Sequence, residues 1–300
     1  MDATMQALER CSGGVEYFYV AERSRVLYIL VPKAACTTML WGFLELEGHD
    51  PSIMNRSLKP RLPIPEQVVH DTDLYPIPTL ANVGASLRND ALTSPEWLRV
   101  AVVRNPFTRL YSAWESRVLV RPPRAKRFRD EPQLIENEHG IDVGASFRSF
   151  VLELSERPEQ WLSDLHFRRQ ADLVPTEVID DIELVPTVAI PDLFRRLSDR
   201  AGVAVAPARS NQGLGIDGTA FLDDETAGRI SAVYDADFKL TGTDPNAFVP
   251  GEPVILDSVA QRLLRLAGAR SERTMQLSRS YRALRSRRGV RRFAQRLSRR

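Results

Sequence analysis

The sequence has little of several features that would define other classes of protein. Its 300 residues include only two cysteines, Cys11 and Cys36, so no disulfide framework is predicted. No apolar run approaches the roughly 20 residues that a membrane-spanning helix needs. The first residues, Met1 to Gln6, lack the basic-then-apolar pattern of a secretory signal. We therefore expect a globular protein in a reducing, cytoplasmic setting.

Charge is distributed unevenly along the chain, although the net charge is only +2. From Val259 to residue 300 there are 14 arginines and a single acidic residue, Glu272, so the rest is acidic on balance. Apolar residues recur at helical spacing among these arginines, which predicts a basic amphipathic helix. We divide the chain accordingly into a body, residues 1–258, and a tail, residues 259–300.

The tail has two interpretations. A basic amphipathic helix favours peripheral contact with an anionic membrane surface, here the inner membrane face. A solvated extension explains the same charge run equally well. No base-reading module accompanies the arginines, so no specific nucleic acid is predicted as a partner.

Strand patterns alternate with helix patterns through the body. This order predicts an α/β fold in which a central parallel sheet is flanked by helices. The predicted strands are residues 25–31, 98–103 and 182–185, and the predicted helices are residues 39–46, 106–114, 145–156, 190–201 and 221–234.

A strand–loop–helix unit surrounds the loop from Pro32 to Thr38. Its small residues lead into a helix N-terminus, where backbone N–H groups and the helix dipole favour an anion. Lys33 adds a positive charge, and Thr37 and Thr38 can cap the helix and donate from their hydroxyls. The loop is not a Walker A sequence, because its lysine precedes the small residues. A plain strand–turn–helix junction with a surface lysine fits this pattern as well.

A second unit of the same kind spans residues 103–114. Arg104 follows the strand, Asn105 and Pro106 are suited to start a helix, and Ser112 lies about two turns into that helix. Arginine offers a planar fork that suits phosphate, and a serine hydroxyl can complete the contact. Taken alone, Arg104 could equally be a satisfied residue at the end of the sheet.

Together, the two units resemble the nucleotide motifs of sulfotransferases that use 3′-phosphoadenosine-5′-phosphosulfate (PAPS). The first resembles the 5′-phosphosulfate loop and the second the 3′-phosphate motif, with Asn105 and Trp114 in place of the usual aspartate and tyrosine. The chain is most similar to the HNK-1 and chondroitin type of carbohydrate sulfotransferase and its bacterial relatives. Weaker similarity covers residues 164–170, 181–184 and 234–238. The resemblance implies a P-loop-kinase-like sulfotransferase fold.

The resemblance also implies roles for individual residues. Lys33 would offset charge on the bridging oxygen as the S–O bond breaks, and no metal is required. The expected donor-binding residues are Pro32, Lys33, Ala34, Ala35, Cys36, Thr37, Thr38, Arg104 and Ser112. Cys36 is interpreted as a small packing residue within that loop.

The acceptor hydroxyl needs a base, for which histidine has a suitable pKa. His70 lies between the two motifs, where related enzymes place a histidine. The neighbouring sequence predicts that it follows the end of a strand. His166 is the alternative, and either residue could instead be structural. The expected acceptor is a carbohydrate or glycolipid, with residues 51–95 and 121–142 shaping its cleft. Two other functions remain open: a kinase-like phosphoryl transferase, and a non-catalytic protein that binds a polyanion.

Overall fold

The fold is described from a computed structural model, which covers residues 3–12, 14–55, 66–72, 74–120, 134–206, 213–252, 254–266 and 269. The α-helices are α1 Ala3–Ser12, α2 Cys36–Leu46, α3 Ala85–Thr93, α4 Pro106–Trp114, α5 Val143–Glu156, α6 Pro158–Leu162, α7 Gln170–Leu173, α8 Ile190–Ala201, α9 Asp224–Val233 and α10 Asp235–Thr241. The strands are β1 Phe18–Ala21, β2 Val26–Ile29, β3 Leu98–Val103, β4 Glu136–Asn137, β5 Gly140–Asp142, β6 Ile182–Pro186 and β7 Ile255–Leu256.

The main sheet has the strand order β1-β2-β3-β6. Strands β2, β3 and β6 are parallel, as predicted, because long crossovers connect them. Strand β1, which the sequence did not predict, pairs antiparallel with β2 at one edge. The α/β prediction is confirmed, with a mixed sheet instead of a wholly parallel one. The parallel arrangement brings the C-terminal ends of β2 and β3 side by side, and both predicted motifs follow those ends.

Two hydrophobic clusters cover the sheet and extend beyond it. The first packs the four strands against α2 and α8, whose Phe43 and Phe194 rings lie 6.2 Å apart. The second joins α4, α5, α9 and α10 through aromatic contacts such as Phe107 against Phe238. Helix α4 starts at the end of β3 and belongs to the second cluster. The C-terminal end of β3 therefore lies where the two hydrophobic clusters meet.

A smaller antiparallel sheet, β4-β5-β7, lies outside the main one. Residues 121–133 lie outside the described residues, so the segment 121–142, expected to shape the acceptor cleft, is seen only from residue 134 onward, where it forms β4 and β5. In the tail, residues 258–266 are helical, but residues 270–300 lie outside the described residues and the predicted basic helix stays a prediction. None of the helices described is both long and apolar enough to cross a membrane.

Candidate active site

The loop after β2 takes an unusual backbone path before α2 begins. Lys33 and Ala35 adopt left-handed conformations, with φ of 68° and 56°. Such conformations cost free energy for residues other than glycine and persist where neighbouring contacts enforce them. The helix begins at Cys36, so Thr37 and Thr38 lie inside its first turn and do not cap it; the cap position is Ala35. The prediction of a threonine cap is therefore wrong.

Two arginines from the second unit hold this loop by its carbonyl groups. Arg109 Nε donates to the Pro32 carbonyl at 3.0 Å, and Arg104 Nη1 donates to the Lys33 carbonyl at 3.3 Å. Arg109 is 2% exposed and faces the fully buried Asp237 of α10, with Nη1 and Oδ2 3.9 Å apart. The two predicted motifs thus form one structural unit. Arg109 and Asp237 were not singled out from the sequence.

The second unit forms as its sequence predicts. Asn105 Oδ1 accepts from the N–H of Phe107 at 2.9 Å, and Pro106 occupies the first helical position. The Gln170 side chain pairs with the peptide groups of Arg104 on both sides, accepting from its N–H at 2.9 Å and donating to its carbonyl at 2.8 Å. Gln170 is fully buried, which fixes the point from which the Arg104 side chain extends.

Both units face one cavity of about 950 Å³. Of the predicted donor-binding residues, those lining it are Lys33, Ala35, Cys36, Thr37, Thr38, Arg104 and Ser112. Pro32 contributes its carbonyl to Arg109 instead, and Ala34 is buried in the core. Other lining residues come from the 3₁₀ turn Thr187–Ala189 that follows β6, from α8 and from residues 213–216, and they include Val188 and Phe194. The volume is at the upper end of the range of about 300–1,000 Å³ that is typical of small-molecule sites.

Glu115 places a carboxylate in the cavity near Lys33 and Arg104. It is 5% exposed, and its Oε1 accepts from the N–H of Leu214 at 3.0 Å, which ties residues 213–216 to α4. Burial raises the pKa of Glu115, while the Leu214 N–H and the charges of Lys33 and Arg104 oppose that rise. Nothing in the sequence pattern indicated this residue, because its partner lies 99 positions away.

The Lys33 side chain reaches the turn that follows α4. Its Nζ donates to Ser116 Oγ at 2.9 Å. Burial lowers the pKa of Lys33, the nearby Cys36 and Glu115 raise it, and the cations Arg104 and Arg117 lower it further. The terminal ammonium is therefore held by a residue of the turn that follows the second unit.

His70 contacts the loop from Pro32 to Thr38, called the donor loop below after its expected role. It is exposed and ends a 3₁₀ helix, Glu66–His70, so the expected strand end is wrong. Its Nε2 lies 3.0 Å from Thr37 Oγ1 and 3.9 Å from Cys36 Sγ. Burial raises the pKa of the Cys36 thiol, but the hydrogen bond with His70 and the charges of His70 and Lys33 outweigh it, so the pKa falls below its usual value. Cys36 also lines the cavity.

His166 belongs to a separate hydrogen-bonded group. Its Nδ1 and its backbone N–H both contact Asp164 Oδ1 at 2.8 Å, and Arg117 Nη2 contacts Asp164 Oδ2 at 3.0 Å. Burial lowers the pKa of His166, and its bond to Asp164 partly offsets that effect. Neither His166 nor His70 lines the cavity. Among the described residues, no group of three His, Cys, Asp or Glu side chains is arranged to hold a metal ion.

Comparison with known proteins identifies the class to which this fold and site belong. Residues 16–186 match the model of the sulfotransferase family. That match spans more than half of the chain and includes the donor loop, the Arg104 motif and the segment of His166. The chain therefore belongs to the sulfotransferase family, and its α/β architecture is the sulfotransferase fold.

Its curated relatives include proteins named carbohydrate sulfotransferase 10. The orangutan (Pongo abelii) protein is 27% identical over 158 residues, which cover 51% of this chain and 41% of that protein. The Xenopus laevis protein is 26% identical over 159 residues, covering 51% and 42%. The human protein is 27% identical over 158 residues, covering 51% and 41%. The matched region is thus about two fifths of the length of these relatives. No solved structure matches the chain.

Proposed function

We propose that this protein transfers a sulfuryl group from PAPS to a hydroxyl group of a carbohydrate or glycolipid acceptor. The observation that carries the proposal is the convergence of two strand–helix units on one cavity, each supplying a cation and a hydroxyl. Membership of the sulfotransferase family supports sulfuryl transfer. The names of the relatives support a carbohydrate as the acceptor.

The residues of the cavity fit such a donor. PAPS, when bound, supplies an activated sulfuryl group and a bisphosphorylated leaving group. We assign Thr37, Thr38 and the first-turn amides of α2 to its 5′ side, since those amides lack acceptors within the helix. Arg104 and Ser112 are assigned to the 3′-phosphate, and Lys33 offsets the charge that develops on the bridging oxygen. As in phosphoryl transfer, positioning and charge stabilisation supply most of the catalysis.

A titration tests the donor assignment. We expect 3′-phosphoadenosine-5′-phosphate (PAP) to bind more tightly than ATP by isothermal titration calorimetry. Arg104→Ala should weaken PAP binding by more than about tenfold, because a hydrogen bond to a charged group contributes about 1.5–3 kcal/mol. Arg157→Ala is the matched control, since Arg157 is 55% exposed and lies outside the cavity.

Each alternative function predicts a different result. A kinase-like phosphoryl transferase would prefer ATP, and a polyanion-binding protein without an active site would bind neither nucleotide. Equal affinity of PAP for wild type and Arg104→Ala would remove Arg104 from the site. The proposal stands on tight PAP binding that the Arg104 substitution weakens and the Arg157 substitution does not.

We further propose a cytoplasmic protein whose arginine-rich segment, residues 259–300, brings it to an anionic membrane surface where a glycolipid acceptor is present. The expected behaviour is co-sedimentation with phosphatidylglycerol vesicles at low salt, little with phosphatidylcholine vesicles, and release as salt increases. Equal partitioning onto both vesicle types would contradict the membrane proposal and leave the catalytic one untouched.

A further inference from the structure

His70 is already engaged by the donor loop. Its Nε2 lies 3.0 Å from Thr37 Oγ1, the hydroxyl that we assign to the 5′ side of the donor. Cys36 Sγ approaches the same nitrogen at 3.9 Å. Both contacts fall on Nε2, the ring nitrogen by which His70 meets the loop. His70 is thus placed to orient the donor loop.

His166 has the opposite arrangement. Burial acts to raise the pKa of Asp164, but the hydrogen bonds from His166 and the charge of Arg117 outweigh it and hold that pKa well below its usual range. An ionised carboxylate can only accept, so Nδ1 of His166 carries the proton that it shares with Asp164 Oδ1. The lone pair is then on Nε2, which has no hydrogen-bond partner among the described residues.

A π-helical turn links the segment of this histidine to Lys33. Residues Glu115–Leu119 continue α4 in a π-helical conformation, which is common near functional sites. Consecutive residues of the turn point to different sides: Ser116 contacts Lys33 Nζ at 2.9 Å, and Arg117 contacts Asp164 at 3.0 Å. One short turn therefore ties both the lysine and the His166 segment to the same place.

The charges around His166 favour its neutral form. Burial lowers the pKa of His166, the hydrogen bond and charge of Asp164 raise it, and the nearby cations Arg117 and Lys33 lower it. The net shift is downward, so the imidazole is neutral at physiological pH and able to accept a proton. Asp164 then stabilises the imidazolium that forms, as a carboxylate does in other histidine-based sites.

We propose that His166 is the catalytic base for sulfuryl transfer and that Asp164 and Arg117 are its positioning residues. This inference rests on the proposed function. The acceptor oxygen forms its bond to sulfur while its proton passes to Nε2 of His166. The bond between sulfur and the bridging oxygen breaks, and its electron pair stays on the departing phosphate, whose charge Lys33 offsets.

Nuclear magnetic resonance tests the positioning without any turnover. The chain has only four histidines, so the His166 ring can be assigned from the signal that His166→Gln removes. We expect the Nδ1–H tautomer and a titration below the ordinary value of about 6.5. Asp164→Asn should lower that pKa further, whereas Arg117→Met should raise it. Arg168→Met is the matched control, because the Arg168 side chain donates to the backbone carbonyls of Leu162 and Ser163 among the described residues, and it should leave the titration in place.

Transfer measurements test the catalytic role. The probe is 35S-labelled PAPS, with p-nitrophenyl glycosides and water as acceptors, followed as a function of pH. His166→Gln should slow transfer by about 100-fold or more while the PAP dissociation constant stays unchanged. The pH at which kcat/KM rises should move down in Asp164→Asn and up in Arg117→Met, opposite shifts that a merely structural role would not produce. His70→Gln should weaken PAP binding and leave the inflection in the pH profile of kcat/KM at its wild-type pH.

The possible outcomes distinguish a failure of this inference from a failure of the proposed function. If the wild-type protein does not bind PAP, the proposed function fails. The tautomer and the titration of His166 still test whether Asp164 and Arg117 position its ring. If PAP binds and His166→Gln transfers label at the wild-type rate, His166 is not the base. Loss of the inflection in His70→Gln, with its retention in His166→Gln, would also overturn the inference and assign the base to His70.

Discussion

Replacing Arg109 with methionine should destabilise the protein strongly, and more so as pH rises. Arg109 is 2% exposed and Asp237 is fully buried, so the substitution leaves a carboxylate without its compensating charge. Removing one partner of a buried ion pair costs about 3–5 kcal/mol. The same change deletes the hydrogen bond that holds the Pro32 carbonyl, so PAP affinity should fall as well.

The pH dependence of this loss of stability follows from the ionisation of the Asp237 carboxyl group. Burial raises the pKa of Asp237, and the charge of Arg109 opposes that rise. Without Arg109 the folded-state pKa rises further above its unfolded value of about 3.9. Below the unfolded-state pKa of Asp237 the carboxyl group is protonated in both states, so its charge costs the variant nothing. The free-energy cost of burying the unpaired group grows as pH increases towards its folded-state pKa. The loss of stability should therefore be smaller at about pH 5 than at about pH 8.

Urea unfolding followed by tryptophan fluorescence measures this effect. Adding Asp237→Asn to Arg109→Met should recover part of the stability at the higher pH, because asparagine keeps the acceptor for the Ala171 N–H without a charge. Arg157→Met, which removes an exposed arginine 3.8 Å from Glu153, should change the free energy of unfolding by less than about 1 kcal/mol. A loss of equal size at both pH values would refute the role given to the buried carboxylate.

Two further predictions concern the cavity. Glu115→Gln keeps an acceptor for the Leu214 N–H and removes a negative charge near Lys33 and Arg104, so PAP should bind about threefold to tenfold more tightly by calorimetry; weaker binding would contradict this electrostatic account. In a Cys11→Ser background, iodoacetamide should alkylate Cys36 with a midpoint below the ordinary thiol pKa of about 8.5, and PAP should protect it, since Cys36 lines the cavity. Equal labelling with and without PAP, read by mass spectrometry, would show that the thiol lies outside the bound region.

Local chemistry explains what could be predicted from the sequence. Asn105 and Pro106 start α4 because capping depends on neighbouring residues alone. The convergence of Lys33 and Arg104 has a simple cause: their loops follow two parallel strands, whose equivalent ends lie at the same edge of the sheet. The sequence indicated both units and the parallel sheet, and the resemblance of the units to two motifs of one donor site brought them together.

Long-range contacts account for what could not be predicted. The partners of Arg109 lie 77 positions away at Pro32 and on a distant helix at Asp237, and no local periodicity reports such pairs. The carboxylate of Glu115 is brought into the cavity by the tertiary packing of α4, and the π-helical turn has no sequence signal that we used. His70 was misplaced on a strand because Val68 and Val69 read as an apolar strand end, although they are buried within a 3₁₀ helix.

The amide of Gln170 has a consequence for the cost of ligand binding. Strand β6 ends at Pro186, opposite Val103, and the Gln170 side chain takes the place of a further strand beside the next peptide. Arg104 is outside the sheet, yet its backbone is as restrained as that of a strand residue. If the proposed 3′-phosphate binds Arg104, less conformational entropy is lost on binding, and this preorganisation favours affinity. Glutamate could not donate to the Arg104 carbonyl, and asparagine would be one methylene too short to span both peptide groups.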